Sequence, residues 1–400
     1  MSSPPKNDAP AGSGPAGGGA KGDPAAVRQG MREIDFVLNS CWRLGKTIVA
    51  GWCPQGSKVS FCFSESYNIL GKAEAMPRLI RGKRMMGPRT FAEACKTLRA
   101  RPMEMEVPFT IGTGRGEVNP LMIENLVRRY AVAATAARAA ILFDIVSFSK
   151  HTPLEQVAQL SSLEYSINSA VKRLNQIGLR TELARSTVGD GFYVWNRAKG
   201  LEADIRTWLA LTLILADNAL ARQKGDPRLV PTLRAAFALG AHFSYHQVEG
   251  NSPRGFEYIV GDVTITLARI IAKALPGQVL VGQFTRGSGV LTGQNTEVDT
   301  LGFLARAERG AAKFTELELG HQPILSLRTG ITAAPEVGRA GTTIFQIKDK
   351  HGFTHQAFNV RVMFERDGAD TLAVGLQGSE LAGFGATPAA YQMKLPQAAR

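Results

Sequence analysis

The chain has 400 residues, of which 44% are hydrophobic, enough for two or three domains with a sizeable core, so disorder of the whole chain is excluded. Its 47 Lys and Arg outnumber 34 Asp and Glu, and the net charge of +13 tilts it towards anionic partners such as nucleotides, nucleic acid or acidic surfaces. The first hundred residues hold 15 basic and 7 acidic side chains, hence +8 of that charge, and the remaining 300 carry no more than a mild bias.

Residues 1–28 are rich in Gly, Ala, Pro and Ser with no apolar run, which predicts a flexible tail, neither signal peptide nor anchor, and a cytoplasmic protein. Residues 29–120 form a basic region of poor periodicity, with strand candidates at Lys46 to Gly51 and Val59 to Phe63. Arg78, Arg81, Lys83, Arg84 and Arg89 cluster there, as a solvated face or a nucleic-acid site without interleaved aromatics. Cys41, Cys53, Cys62 and Cys95 lack the C-x2-C spacing of zinc sites and read as reduced and structural. Leu44-Gly45-Lys46-Thr47 imitates the end of a phosphate-binding loop, but Ser40 stands where the first glycine is required. Met103 or Met105 is an alternative start, in which case the upstream stretch is not part of the protein.

From residue 121 the pattern sharpens. A helix-like segment, Ile123 to Ala137, precedes an apolar strand over Ala140 to Phe148 that is interrupted by Asp144. Thr152-Pro153-Leu154-Glu155 is a capping box opening a helix to about Ile177, where Gly178 ends it. Leu179 to Thr187 and Phe192 to Trp195 read as a hairpin across Val188-Gly189-Asp190-Gly191. A helix over Ala203 to Gln223 follows, with Trp208 to Ala216 too short to span a membrane. Strands over Thr232 to His246 and Phe256 to Val260, a helix over Asp262 to Ala274 and a strand over Gln278 to Val281 complete a βαββαβ order with an added αβ. Residues 295–385, with short strands punctuated by Gly and Thr, predict a separate small β-rich domain.

Two carboxylates carry the candidate chemistry. Asp144 lies inside an apolar strand, where an uncompensated charge costs several kcal/mol and therefore asks for a partner such as a divalent ion. Asp190 is either a plain turn residue or a second ligand brought to the same end of the sheet by strand pairing. Phe148 and Ser149 lie on the turn running into the capped helix, where backbone amides form a phosphate seat or merely cap the helix. The histidines show no zinc spacing apart from His351 and His355, which sit in a Gly-interrupted loop rather than on a helix, and no G-x-S-x-G or activated cysteine points to covalent hydrolysis.

The segments AILFDIVSFS (140–149), STVGDGFY (186–193) and YIVGDVTITLAR (258–269), in that order, resemble a class III nucleotidyl cyclase across about residues 121–285. The resemblance implies a ferredoxin-like α+β catalytic domain and a homodimer with composite sites. In it Asp144, Asp190 and the backbone of Ile145 hold two divalent ions, Mg or Mn, and Arg269 from the other subunit steadies the phosphate. Purine-using members carry Lys, Asp and Asn where this chain has Ser186, Tyr258 and Ile265, so the resemblance implies another base or a silent site. Arg185, Ser186, Tyr258 and Tyr165 are the candidates for reading that base, and Thr264 or Thr266 for replacing the Asn. The segment IKDKHGFTHQAFNV (347–360) resembles the sensor domain that accompanies cyclases in anti-phage operons. The two resemblances together imply a pyrimidine cyclase of the Pycsar kind. Its substrate would be UTP, slightly preferred, or CTP, its product would activate a membrane-embedded or NAD-degrading effector, and it would bind no nucleic acid. A silent cyclase fold that senses a nucleotide or phage ligand is the rival expectation.

Overall fold

A computed structural model describes residues 23–248, 255–287, 297–332 and 341–391. The chain divides into two compact units, Met1–Val132 and Ala133–Arg400.

In the first unit, helix α1 spans Pro24–Trp42, opened by Asp23, whose carboxylate accepts from the Ala25 amide at 3.0 Å. It buries Ile34, Leu38 and Trp42, one residue per turn on a single face, so order begins inside the segment expected to be a tail. Strands β1 (Thr47–Gln55) and β2 (Lys58–Glu65) form a hairpin, helices α2 (Ser66–Lys72) and α3 (Pro88–Leu98) follow, and β3 (Met103–Glu106) pairs with β2. The strand candidates at Lys46 to Gly51 and Val59 to Phe63 thus fall on β1 and β2 of a three-stranded sheet, and Trp52, Phe61 and Ile34 are fully buried in this unit. Of the basic cluster, Arg84 is not on the surface; it is buried, with its guanidinium on the Leu79 and Gly82 carbonyls. All four cysteines are free thiols. Helix α4 covers only Pro120–Val127, because the predicted helix up to Ala137 gives way to a strand whose Thr135 pairs with His242.

The second unit begins with β4 (Ala133–Ile145), α5 (Pro153–Gln176), β5 (Leu183–Thr187), β6 (Gly191–Asn196), α6 (Leu201–Lys224) and β7 (Leu233–Val248). These strands lie in the order β7-β4-β6-β5 and all neighbours are antiparallel, which is the ferredoxin-like βαββαβ arrangement. Then come β8 (Gly255–Val260), α7 (Asp262–Ile271) and β9 (Val279–Gly282); β8 pairs antiparallel and β9 parallel with β7, on the edge away from β4. Two helices cover one face of the sheet: Ile141, Phe143 and Ile145 share a core with Leu163, Ile167 and Trp208 of α5 and α6. Helix α7 covers the other, where Ala140 and Leu142 meet Val263, Leu267 and Ile270. The period of two along β4 therefore puts Asp144 on the α7 face.

The rest comprises β10 (Thr285–Gly287), β11 (Glu297–Asp299), α8 (Thr300–Gly310), β12 (Ile324–Ile331), β13 (Thr343–Lys348), β14 (Thr354–Arg366), β15 (Ala369–Val374) and β16 (Thr387–Ala390). It is not the separate domain expected for residues 295–385. Strand β14 pairs antiparallel with β9, from Ala357 opposite Gly282 to Val360 opposite Val279, and carries β12, β13 and β15 into the same eleven-stranded sheet. Phe358, Val360 and Phe364 lie in one core with Trp208 and Phe237. No helix among the described residues is long and apolar enough to cross a membrane.

Candidate active site

The end of β4 is shaped by one glycine. Gly191 opens β6 opposite Asp144, and a Cβ there would stand 1.9 Å from the Phe143 carbonyl oxygen, so only glycine permits this approach. The close pairing continues at Asp190, whose carbonyl accepts from the Ile145 amide at 2.8 Å. Asp144, Ile145 and Asp190 are thereby brought to one end of the sheet.

Asp144 has a partner that the sequence reading passed over. Arg234, directly opposite it on β7, donates from Nε to Oδ2 at 2.7 Å and also reaches it through Nη2. A second bond, from Nη1 to the Ala274 carbonyl at 3.3 Å, ties the guanidinium to the end of α7. Burial pushes the Asp144 carboxyl up, Arg234 pulls it down, and the neighbouring Asp190 charge pushes it up again, with a net rise. The residues fit a hard divalent ion in their chemistry: Asp190 opposes the ionisation of Asp144, and the repulsion of two carboxylates is what a cation relieves. Among the described residues no group of three or more His, Cys, Asp or Glu is gathered for a metal.

On the phosphate side, Ser147 takes a left-handed conformation at φ 57° and leads into a 3₁₀ turn over Phe148–Lys150, with Ser149 exposed. The capping box is formed as predicted: the Thr152 amide donates to Glu155 at 2.9 Å and the Glu155 amide to Thr152 Oγ1 at 3.4 Å. Those two amides are thus occupied by the cap, the Lys150 amide donates to the Ser147 carbonyl at 2.9 Å, and the Phe148 and Ser149 amides remain the candidates for an anion.

The four base-reading candidates are not all gathered: β5 and β8, which carry Ser186 and Tyr258, approach one another, whereas Arg185 and Tyr165 belong to the α5 side. Ser186 lies opposite Tyr193, which packs on the core under α7 and donates its hydroxyl to the Thr264 carbonyl at 3.1 Å, so Ser186 shares the Asp144 face. Arg185 points to the opposite face and is held by Glu164 and, at 2.9 Å, by Asn168, both on α5. Tyr165 is also on α5 and 70% exposed, so the sheet separates it from Asp144. Tyr258 stacks on Tyr245 across the β7–β8 pair, with ring centroids 5.6 Å apart.

Gly261, at φ 149°, turns the chain from β8 into α7, and a Cβ there would come within 2.8 Å of His242 Cα. Thr264 uses its hydroxyl in the cap of that helix, bonding the Gly261 amide and carbonyl, which leaves Thr266 as the hydroxyl open to another role. Ile265 is 53% exposed. Arg269, at the other end of α7, forms an ion pair with Asp349 at 3.3 Å; among the described residues it makes no ion pair with Asp144 or Asp190.

No protein-family model matches the chain. No curated protein matches it. Among solved structures it is similar to the catalytic core of a rhodopsin-guanylyl cyclase with converted specificity, bound to ATPαS, at 13% identity and a TM-score of 0.34, covering 57% of this chain and 97% of that one. It is similar to the adenylyl cyclase CyaB from P. aeruginosa at 13% identity and a TM-score of 0.30, over 57% of this chain and 95% of the other. A dimeric guanylyl cyclase domain from Blastocladiella emersonii matches at 14% identity and a TM-score of 0.33, over 57% and 97%.

Proposed function

We propose that the chain is a metal-dependent nucleotidyl cyclase, working as a homodimer on a pyrimidine nucleoside triphosphate, UTP before CTP. The observation that carries this reading is the placement of Asp144 and Asp190 at one sheet end by the Gly191 contact. Asp144, Asp190 and the Ile145 carbonyl are the residues that would hold two divalent ions. Bound there, the ions would supply activation of the ribose 3′-hydroxyl and charge relief on the α-phosphate as pyrophosphate leaves. Arg234 keeps Asp144 oriented and offsets the burial that opposes its ionisation. The Phe148 and Ser149 amides are offered to the phosphates, and Arg269 of the second subunit meets negative charge as it builds.

Specificity follows from what is missing. A purine edge needs a buried donor and acceptor, and Ser186 and Tyr258 supply neither the lysine ammonium nor the carboxylate, so a purine would leave its polar groups unpaired. The product is proposed to be a cyclic pyrimidine monophosphate that switches on a separate effector in anti-phage defence. A silent sensor is the second reading. It is favoured by Arg234 standing on Asp144 where a cation would go, and by Ile265 in place of an amide.

The test is incubation of the purified chain with ATP, GTP, CTP and UTP in Mn2+, with products identified by mass spectrometry. A cyclic pyrimidine monophosphate is expected. Cyclic purine product would refute the specificity argument, and no product from any nucleotide would favour the silent sensor.

A further inference from the structure

The segment 347–360 supplies none of the proposed metal or phosphate ligands, yet its hairpin reaches the proposed phosphate-binding arginine, Arg269. Strands β13 and β14 pair from Phe345 opposite Ala357 to Lys348 opposite Thr354, and the turn between them is built round one carboxylate. Asp349 Oδ1 accepts from the amides of His351 at 2.8 Å and Phe353 at 3.0 Å. Its Oδ2 faces the His355 imidazole, with Nε2 at 3.3 Å, and the Arg269 guanidinium, with Nε at 3.3 Å. The Asp349 side chain is 5% exposed. Burial alone would push its carboxyl up, but the bonds from His351, His355 and Phe353 and the charge of Arg269 outweigh it and hold it below the usual range.

Both partners are fixed from behind. Strand β14 is hydrogen-bonded to β9 from Ala357 onwards, so the turn cannot drift relative to the sheet. Helix α7 is pinned to that sheet by Val263, Leu267 and Ile270. An arginine side chain is long and rotamer-rich, and a phosphate contact formed in a transition state is strongest when the guanidinium is already in place. The anchored, ionised Asp349 does this for Arg269 before any nucleotide arrives.

We infer that Asp349 is a positioning residue for Arg269, presented by the C-terminal hairpin with His355 on the same carboxylate. The inference rests on the nucleotidyl cyclase reading, in which Arg269 acts on the phosphate. It makes the hairpin part of the catalytic unit.

The experiment compares the full chain with D349N, R269A and the double variant, using whichever nucleotide gives cyclic product in Mn2+. Asn keeps the Oδ1 acceptor for the His351 and Phe353 amides, so the turn is retained; D349S, whose hydroxyl also caps such a turn, is the second variant. Expected are a roughly tenfold fall in kcat with KM within about twofold, and no loss in the double variant beyond that of R269A alone. An unchanged or raised kcat in both Asp349 variants, or losses that multiply in the double variant, would overturn the inference. A second arm needs no turnover: modification of Arg269 by phenylglyoxal, followed by peptide mass mapping, should be several-fold faster in D349N and D349S than in the parent. If the parent makes no cyclic product, the cyclase reading fails, and the modification rate still decides whether Asp349 holds Arg269. Equal rates overturn that hold.

Discussion

Two buried groups with opposed pH preferences sit on neighbouring elements of the second unit, and separating them gives the sharpest physical prediction. Asp204, on the first turn of α6, is fully buried; burial pushes its carboxyl up to about 6, against the opposing pull of Arg286, the Ala139 amide and Arg138. His242 on β7 is 3% exposed; burial, then Arg138, push it down to about 4, with Lys199 adding to the fall and a Gly240 backbone bond opposing it. The folded state thus binds the Asp204 proton more tightly than the unfolded chain, and stability from this group falls as pH rises from about 4 to 6. The folded state disfavours protonation of His242, so stability from that group is present above about 6.5 and falls as pH drops towards 4. Each shift exceeds two pH units, about 3 kcal/mol apiece, and over pH 4–6 the two nearly cancel. Substituting one exposes the other. Relative to the parent, H242Q should gain about 3 kcal/mol on acidification from pH 6.5 to 4, and D204N should gain a similar amount as pH rises from 4 to 6. Urea unfolding at half-unit pH steps, followed by the emission of Trp195 and Trp208 in this unit, measures both difference profiles. Flat difference profiles for both variants would refute the account of these two groups as buried against their charge preference.

Gly191→Ala should cost about 2–4 kcal/mol in unfolding free energy and remove nucleotide turnover, since the added Cβ meets the Phe143 carbonyl at 1.9 Å; a silent effect in a melting curve would deny that contact. Asp144→Asn and Asp190→Asn should each lower turnover at least 100-fold, and in D144N the half-buried Arg234 loses its ionic partner, so thermal unfolding should fall as well. Arg269→Ala should reduce kcat about 100-fold with KM little changed, and an equal loss of nucleotide affinity would contradict a contact made mainly in the transition state. Joint substitution S186K and Y258D should raise ATP or GTP turnover relative to UTP, read as product ratios by mass spectrometry; no change in ratio would remove these two positions from base selection.

Local chemistry and the β5–β6 hairpin were legible, and pairing over longer separations was not. The Thr152 to Glu155 box fixed the start of α5 to the residue, and the strand–helix order from β4 to β9 is readable because each element carries its own period. In the first unit the strand candidates at Lys46 to Gly51 and Val59 to Phe63 fall on β1 and β2, but their extent was not legible because β1 is buried along nearly its whole length without alternation, and the apolar stripe of α1 begins inside a stretch whose composition reads as tail. The C-terminal strands were each visible, but nothing in a strand's sequence says that β14 will pair with β9 some 80 residues earlier. Asp144 was found as a charge in an apolar strand. Arg234 obeys the same rule in β7, among Leu233, Ala235, Ala236 and Phe237, and that shared anomaly is the signal that would have matched the two.

The charges that matter for the proposed reaction are compensated within one chain: Asp144 by Arg234, Arg269 by Asp349. A buried acid left alone would neutralise itself, and one matched too tightly would have no affinity for an incoming cation. Asp144 lies between these limits, because Arg234 binds one carboxylate oxygen and Asp190 opposes its ionisation from the other side. A divalent ion entering there would remove the repulsion between the two acids, so its affinity comes from relief of a strain already present as well as from new bonds. The same balance separates the two functional readings. If Arg234 is a companion to the ion, shortening it should weaken catalysis; if it is the ion's replacement, shortening it should open a metal site that the parent lacks.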